Sequence, residues 1–273
     1  MNHSKPRRWW LPGPPPPRRL ISLDLVEESY RRDGTPELSV PVRSIRVPWV
    51  ERSSVLAPYL DRSDKPGSAE ETPVSGPKYL FHGCGNVLGP RVIQSFARRG
   101  PSIRFSRSQS YFSADQAVYW SNSVEFAIAW SFFSETGSWN LNDFDGKRPF
   151  RCLIFVSRLD LAEPSFEGGL YLIPRPQSPE EEAELGDWCD ANRTKMAQTR
   201  RIPPPKSQKA DWGVIGSRIP KDTMRALRPL YNRTDKTWLF AACNEASSRT
   251  IAGAGVEILH ITLQPRNQMD VKL

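Results

Sequence analysis

Residues 78–83, Lys78-Tyr79-Leu80-Phe81-His82-Gly83, decide how the rest of the chain is read. A run of aromatic and aliphatic side chains leaves a polar, proline-rich stretch and stops at a glycine, which is the mark of a short buried strand. Downstream, short apolar runs and short helical patterns alternate irregularly. Residues 89–100 (GPRVIQSFARRG) predict a helix: Val92, Phe96 and Ala97 share one side, two arginines fall in the last turn, and Gly100 stands at the C-cap. Residues 102–113 (SIRFSRSQSYFS) read as strand-like with a loop. Residues 123–133 (SVEFAIAWSFF) read as a helix with Val124, Ala127 and Ile128 on its apolar face.

Residues 151–159 (RCLIFVSRL) are the clearest strand, because Leu153, Ile154, Phe155 and Val156 in succession imply burial on both faces. Residues 168–174, 211–219, 237–243 and 256–263 read as further strands. Helices are expected at 179–193, with acidic residues in the first turn where the dipole favours them, at 221–231 and at 244–255. Irregular interleaving of this kind predicts an α+β fold with mixed, mainly antiparallel sheets and a few short helices.

Upstream of Lys78 the texture differs. Residues 1–19 are expected to be a disordered tail, since Pro14 to Pro17 favour polyproline II between two arginine pairs. Such a tail suits an SH3- or WW-type partner, and a plain solvated tail is the simpler reading. Residues 20–77 form an N-terminal extension and linker. Within it, 20–30 read as a short helix or strand, and 40–50 alternate like a strand that Pro41 and Pro48 confine to a sheet edge. Residues 78–273 form the main domain.

Composition narrows the classes. The 26 prolines exclude a long helical bundle. No apolar stretch reaches the roughly 18 residues that suggest a spanning helix, so no membrane partner is expected. The four cysteines, Cys84, Cys152, Cys189 and Cys243, lie far apart without a C-x-x-C, which disfavours a metal or disulfide scaffold. Free thiols and the lack of an apolar signal core suggest a cytoplasmic or nuclear location. The net charge of +8 is a mild bias towards phosphates and acidic surfaces, without the concentrated stripe of a nucleic-acid binder.

Three segments carry chemistry-bearing residues in sequence order: Tyr79 to Gly85, with His82-Gly83-Cys84; Ser110-Tyr111-Phe112-Ser113, followed by the helix with Ala127 and Trp130; and Trp238 to Glu245, ending Cys243-Asn244-Glu245. This order resembles the ADP-ribosyltransferase-like superfamily, in the His-Tyr-Glu branch that includes the poly(ADP-ribose) polymerase catalytic domain. That branch opens on a strand carrying His-Gly, continues through an aromatic strand leading into a helix, and delivers a late glutamate. The resemblance spans roughly residues 78–263.

It implies NAD as substrate, cleavage of the nicotinamide–ribose bond, and transfer of ADP-ribose to a protein or nucleic-acid acceptor. The cleavage passes through an oxocarbenium-like state, as in glycoside hydrolysis. By the resemblance, His82 bonds a ribose hydroxyl, the backbone of Gly83 meets the carboxamide, Tyr111 stacks on nicotinamide, and Glu245 steadies the cation. Ser113 adds a polar contact. Arg104 and Arg107 are placed to meet the pyrophosphate by charge and position. The catalytic set is therefore His82, Tyr111 and Glu245, with no metal.

The chain departs from the family pattern where Cys84 replaces Ser or Thr, and where Gln109 and Ser110 stand in place of a glycine. It has no Glu-x-Glu near its end, so arginine-specific toxin chemistry is not expected. Glu257 is a rival acid. Plainer roles compete for each residue. His82 suits a strand-end histidine satisfied by backbone, Tyr111 and Phe112 suit core aromatics, and Tyr119 with Trp120 read as packing in a loop before the helix. Glu245 suits a first-turn acid behind an Asn244 N-cap. With those roles the chain is instead a non-catalytic interaction module on the same fold, its tail and basic surface binding partners.

Overall fold

A computed structural model describes residues 23–48, 76–85, 90–106, 110–136, 149–193, 201–218 and 237–264. The proline-rich tail, the helix expected at 221–231, and Arg107 with Gln109 lie outside the described residues. In chain order the elements are α1 (Leu23–Arg32), β1 (Val42–Pro48), β2 (Lys78–Gly85), α2 (Pro90–Arg99), a 3-10 turn (Ile103–Phe105) and β3 (Val118–Ser121). They continue with α3 (Val124–Thr136), β4 (Phe150–Leu159), β5 (Leu170–Leu172), α4 (Pro179–Asn192), β6 (Val214–Arg218), β7 (Trp238–Ala242), α5 (Glu245–Gly253) and β8 (Gly255–Gln264).

The strands form one eight-stranded sheet in the order β1-β8-β4-β2-β3-β7-β6-β5. Five pairings are antiparallel, and β1 with β8 and β5 with β6 are parallel. The fold is thus α+β with a mixed, mainly antiparallel sheet. β1 is an edge strand that ends at Pro48, where the missing N–H does no harm. β4 lies inside the sheet with helices over both faces, so Leu153 to Val156 are all fully buried.

On one face α3 covers β2, β4 and β8 through Ala127, Ile128 and Phe132 against Phe81, Ile154 and Leu259. α4 covers β6 and β7 on the same side through Leu185 and Trp188. Most of α3 is buried, as expected for a helix apolar almost all round. On the opposite face α2 and α5 bring Phe96, Ala97, Ile251 and Ala252 onto Leu80, Trp120, Phe155 and Phe240. α2 ends as expected at Gly100, whose φ of +69° is the left-handed conformation that glycine takes without strain.

The segment read as strand-like, 102–113, is a correction. Ser102 caps the Ile103–Phe105 3-10 turn by accepting from Arg104 N–H, and Ser110 and Ser113 close a tight bridge. The strand is instead Val118–Ser121, where a loop was expected. α1 is fastened over α2 by a buried ion pair, Arg99 Nε to Glu27 at 3.3 Å, with Ser95 Oγ also donating to Glu27. Tyr30 beside them is buried beneath the Arg99 and Arg104 guanidinium groups.

Candidate functional site

β2 pairs with β4 along all eight of its residues, from Lys78↔Leu159 to Gly85↔Cys152. With β3 it shares only Phe81↔Ser121. The ladder between these two central strands stops there, and the His82 ring takes over. Its Nδ1 lies 2.8 Å from the Tyr119 carbonyl oxygen. A carbonyl only accepts, so Nδ1 carries the proton and donates, which leaves Nε2 as a lone-pair acceptor. Burial pushes the imidazole down to about 4, against the opposing pull of the Tyr119 carbonyl, so the ring is neutral near pH 7. Trp120 and Phe96 enclose it, with ring centroids 5.6 and 6.0 Å away.

Gly83 follows directly. A Cβ there would collide with the Ala127 carbonyl and the Ser131 hydroxyl of α3. The glycine therefore lets α3 press against β2, and that side of Gly83 is filled by the helix. Gly85 does the same against the Ser131 carbonyl, 2.5 Å from where its Cβ would stand.

Glu245 lies on the His82 side of the sheet, at the first position of α5. Asn244 is its N-cap, accepting from Ser247 N–H at 2.7 Å, as the plainer reading expected. Glu245 Oε2 accepts from Ser102 Oγ at 3.5 Å, while Oε1 is buried without a hydrogen-bond partner among the described residues. Glu257, the rival acid, accepts from Arg43 Nε at 2.9 Å on the distant β1–β8 edge.

The structure does not bring Tyr111 to this group. Its ring packs into the core on the α4 side, under the Arg193 guanidinium at 5.6 Å, and its backbone carbonyl accepts from Asn192 Nδ2. Burial raises the Tyr111 hydroxyl to about 12, so it stays protonated. Arg104 is also committed elsewhere: it bonds Asp33 and Ser29 and covers Tyr30, which anchors α1.

Tyr119 and Trp120 are the residues that sequence reasoning undervalued. They form an aromatic pair on β3, the strand that leads into α3. The Tyr119 hydroxyl accepts from Phe112 N–H at 2.7 Å and donates to Ser110 Oγ at 3.0 Å. It thus fixes the 110–113 turn, and its burial raises its pKa far above the usual tyrosine value. The signal that could have found them is the direct adjacency of Val118–Ser121 to the helix.

Ser113 meets none of these groups. It lines a separate cavity of about 300 Å3 on the α4 side, at the carboxyl end of β7. Burial pushes the Cys243 thiol there up to about 12, with a Ser113 hydrogen bond acting the other way. Among the described residues no cluster of His, Cys, Asp and Glu could hold a metal ion, and no helix is long and apolar enough to cross a membrane. The chain matches no protein-family model, no curated protein and no solved structure.

Proposed function

We propose that the chain binds NAD at the junction of β2 and β3 and transfers ADP-ribose to a protein or nucleic-acid acceptor. The observation that carries this reading is His82: a neutral imidazole held by Tyr119 at 2.8 Å, with Nε2 left as an acceptor, where the two central strands part. A ribose hydroxyl is the donor that such a nitrogen suits.

In the reaction the bond between ribose C1′ and the nicotinamide nitrogen breaks. Nicotinamide leaves with the bonding electron pair and becomes neutral. The acceptor's nucleophile bonds to C1′ and releases its proton to solvent. Glu245, half-buried on the same face with one oxygen unmatched, is the available negative charge for the ribosyl cation. Trp120, in contact with His82 and buried in the core, backs the imidazole from behind.

A second reading, a non-catalytic interaction module on the same fold, is favoured by one observation. Glu245 Oε2 is already engaged by Ser102, and Tyr30 of α1 lies within its electrostatic reach. Incubation with NAD labelled in the adenylate half separates the two readings. Label transfer by the native chain, lost in His82→Ala and in Glu245→Ala, supports transfer. Equal labelling of all three proteins removes both residues from the mechanism, and no labelling of any favours the interaction module.

A further inference from the structure

The sheet assembles a cationic row from residues that are far apart in the chain. Arg46 on β1 stands opposite Thr262 on β8, and Thr262 stands opposite Arg151 on β4. Paired residues share a face, so the two arginines flank one hydroxyl at two strand spacings, about 10 Å. Ser44, His260 and Leu153 form the next row in the same way, and Cys84 on β2 extends it. This is the His82 face of the sheet, and both arginines are exposed on it.

Two further features single the row out. Arg43, on the opposite face, has a carboxylate partner in Glu257 at 2.9 Å. Arg46 and Arg151 have none among the described residues, and no acidic residue shares their face of β1, β8, β4 or β2. Behind the row, His260 Nε2 is shielded from solvent and lacks a hydrogen-bond partner among the described residues. Burial, and then the Arg151 charge, hold this imidazole below the usual histidine range, so it is neutral near pH 7.

We propose that this face binds nucleic acid by its phosphate backbone, with Arg46 and Arg151 each on a phosphate and the Thr262 hydroxyl between them. Guanidinium meets phosphate oxygens with paired N–H donors, and here two such groups lack an internal carboxylate. Charges spread about 10 Å apart on open strand surface suit the successive charges of a polymer better than one small anion. His260, with its proton on Nε2, is a further donor behind the row. The row holds no aromatic ring to stack on a base and no side-chain amide to read one, so binding is expected to be indifferent to base sequence. The net charge of +8 shows no such stripe along the sequence, because residues 46, 151 and 262 meet only through strand pairing. The surface does not depend on NAD chemistry.

Fluorescence anisotropy of the full chain with a labelled oligothymidine, repeated over a range of sodium chloride concentrations, tests this. Arg46→Gln combined with Arg151→Gln is expected to weaken binding about tenfold or more at low salt. The same pair is expected to flatten the plot of log affinity against log salt by about 1.4, the share of two single-strand phosphates. Arg158→Gln combined with Arg175→Gln removes equal charge from exposed positions off this face and is expected to leave that slope unchanged. Native far-ultraviolet circular dichroism of both double variants separates lost contacts from lost fold. Absence of binding at low salt overturns the proposal, as does an equal loss in the two double variants. Binding to phosphatidylserine vesicles in place of the oligonucleotide overturns it in favour of a membrane. Inorganic pyrophosphate that competes as tightly as the polymer overturns it in favour of a small anion.

Discussion

The imidazole of His82 donates from Nδ1 to the carbonyl of Tyr119 at 2.8 Å, and so joins two central strands whose own ladder has ended one residue earlier. That bond fixes the tautomer, and burial fixes the charge state. Both properties have measurable consequences.

The first is a pH dependence of stability. The His82 imidazole titrates near 6.5 in the unfolded chain and at about 4 in the folded one, chiefly because burial disfavours the cation. Between these values the unfolded state binds more protons, so stability falls as the pH drops from 6.5 towards 4. The loss reaches about 3 kcal/mol at the lower end. Urea unfolding of the native chain and of His82→Gln across this range measures it. The variant is expected to lack this component of the slope.

Gly83→Ala is expected to destabilise the fold by about 1–3 kcal/mol or more, because its methyl group meets the backbone carbonyl of Ala127 and cannot be absorbed by a side-chain rotation. Thermal unfolding checks it. Gly253→Ala is the control: nothing lies near its added Cβ, so no collision is introduced there.

Tyr119→Phe leaves the ring and removes the oxygen that accepts from Phe112 N–H. The buried amide loses its partner, at a cost of about 1–3 kcal/mol. Hydrogen exchange at Phe112 is expected to speed up more than at Trp120, whose backbone partner across the strand, Phe240, is untouched.

The Glu27–Arg99 pair makes a test of α1. Glu27→Ala takes one of two carboxylates from the buried Arg99 guanidinium, Glu37 staying at 3.1 Å, and is expected to cost about 1–3 kcal/mol. Glu27→Leu combined with Arg99→Met removes both charges and is expected to cost less than Glu27→Ala alone. Chemical denaturation of the three proteins compares them.

How much of this was legible depended on how local the determining signal was. β4 could be read because four successive apolar residues leave little choice, and α2 because its stripe, arginines and terminal glycine agree. The segment 102–113 misled because Ile103, Phe105, Tyr111 and Phe112 look like strand residues, while serine hydroxyls bend the chain into caps and turns. Ser102 and the Ser110–Ser113 bridge do this. β3 was hidden because four residues carry too little periodicity, and its pairing with β7 lies more than a hundred residues away. The same non-locality governs the site. His82 and Glu245 reach one face because β2, β3 and β7 are neighbours. Tyr111 reaches the other face because its turn is held by Asn192 of α4.

Release of free nicotinamide from NAD by the purified chain tests the central claim most directly. Turnover or stoichiometric release by the native protein is predicted, with loss of most of it in His82→Gln while the circular dichroism at pH 7.5 stays native. Release that is unchanged in His82→Gln, or absent from the folded native protein at millimolar NAD, contradicts the account.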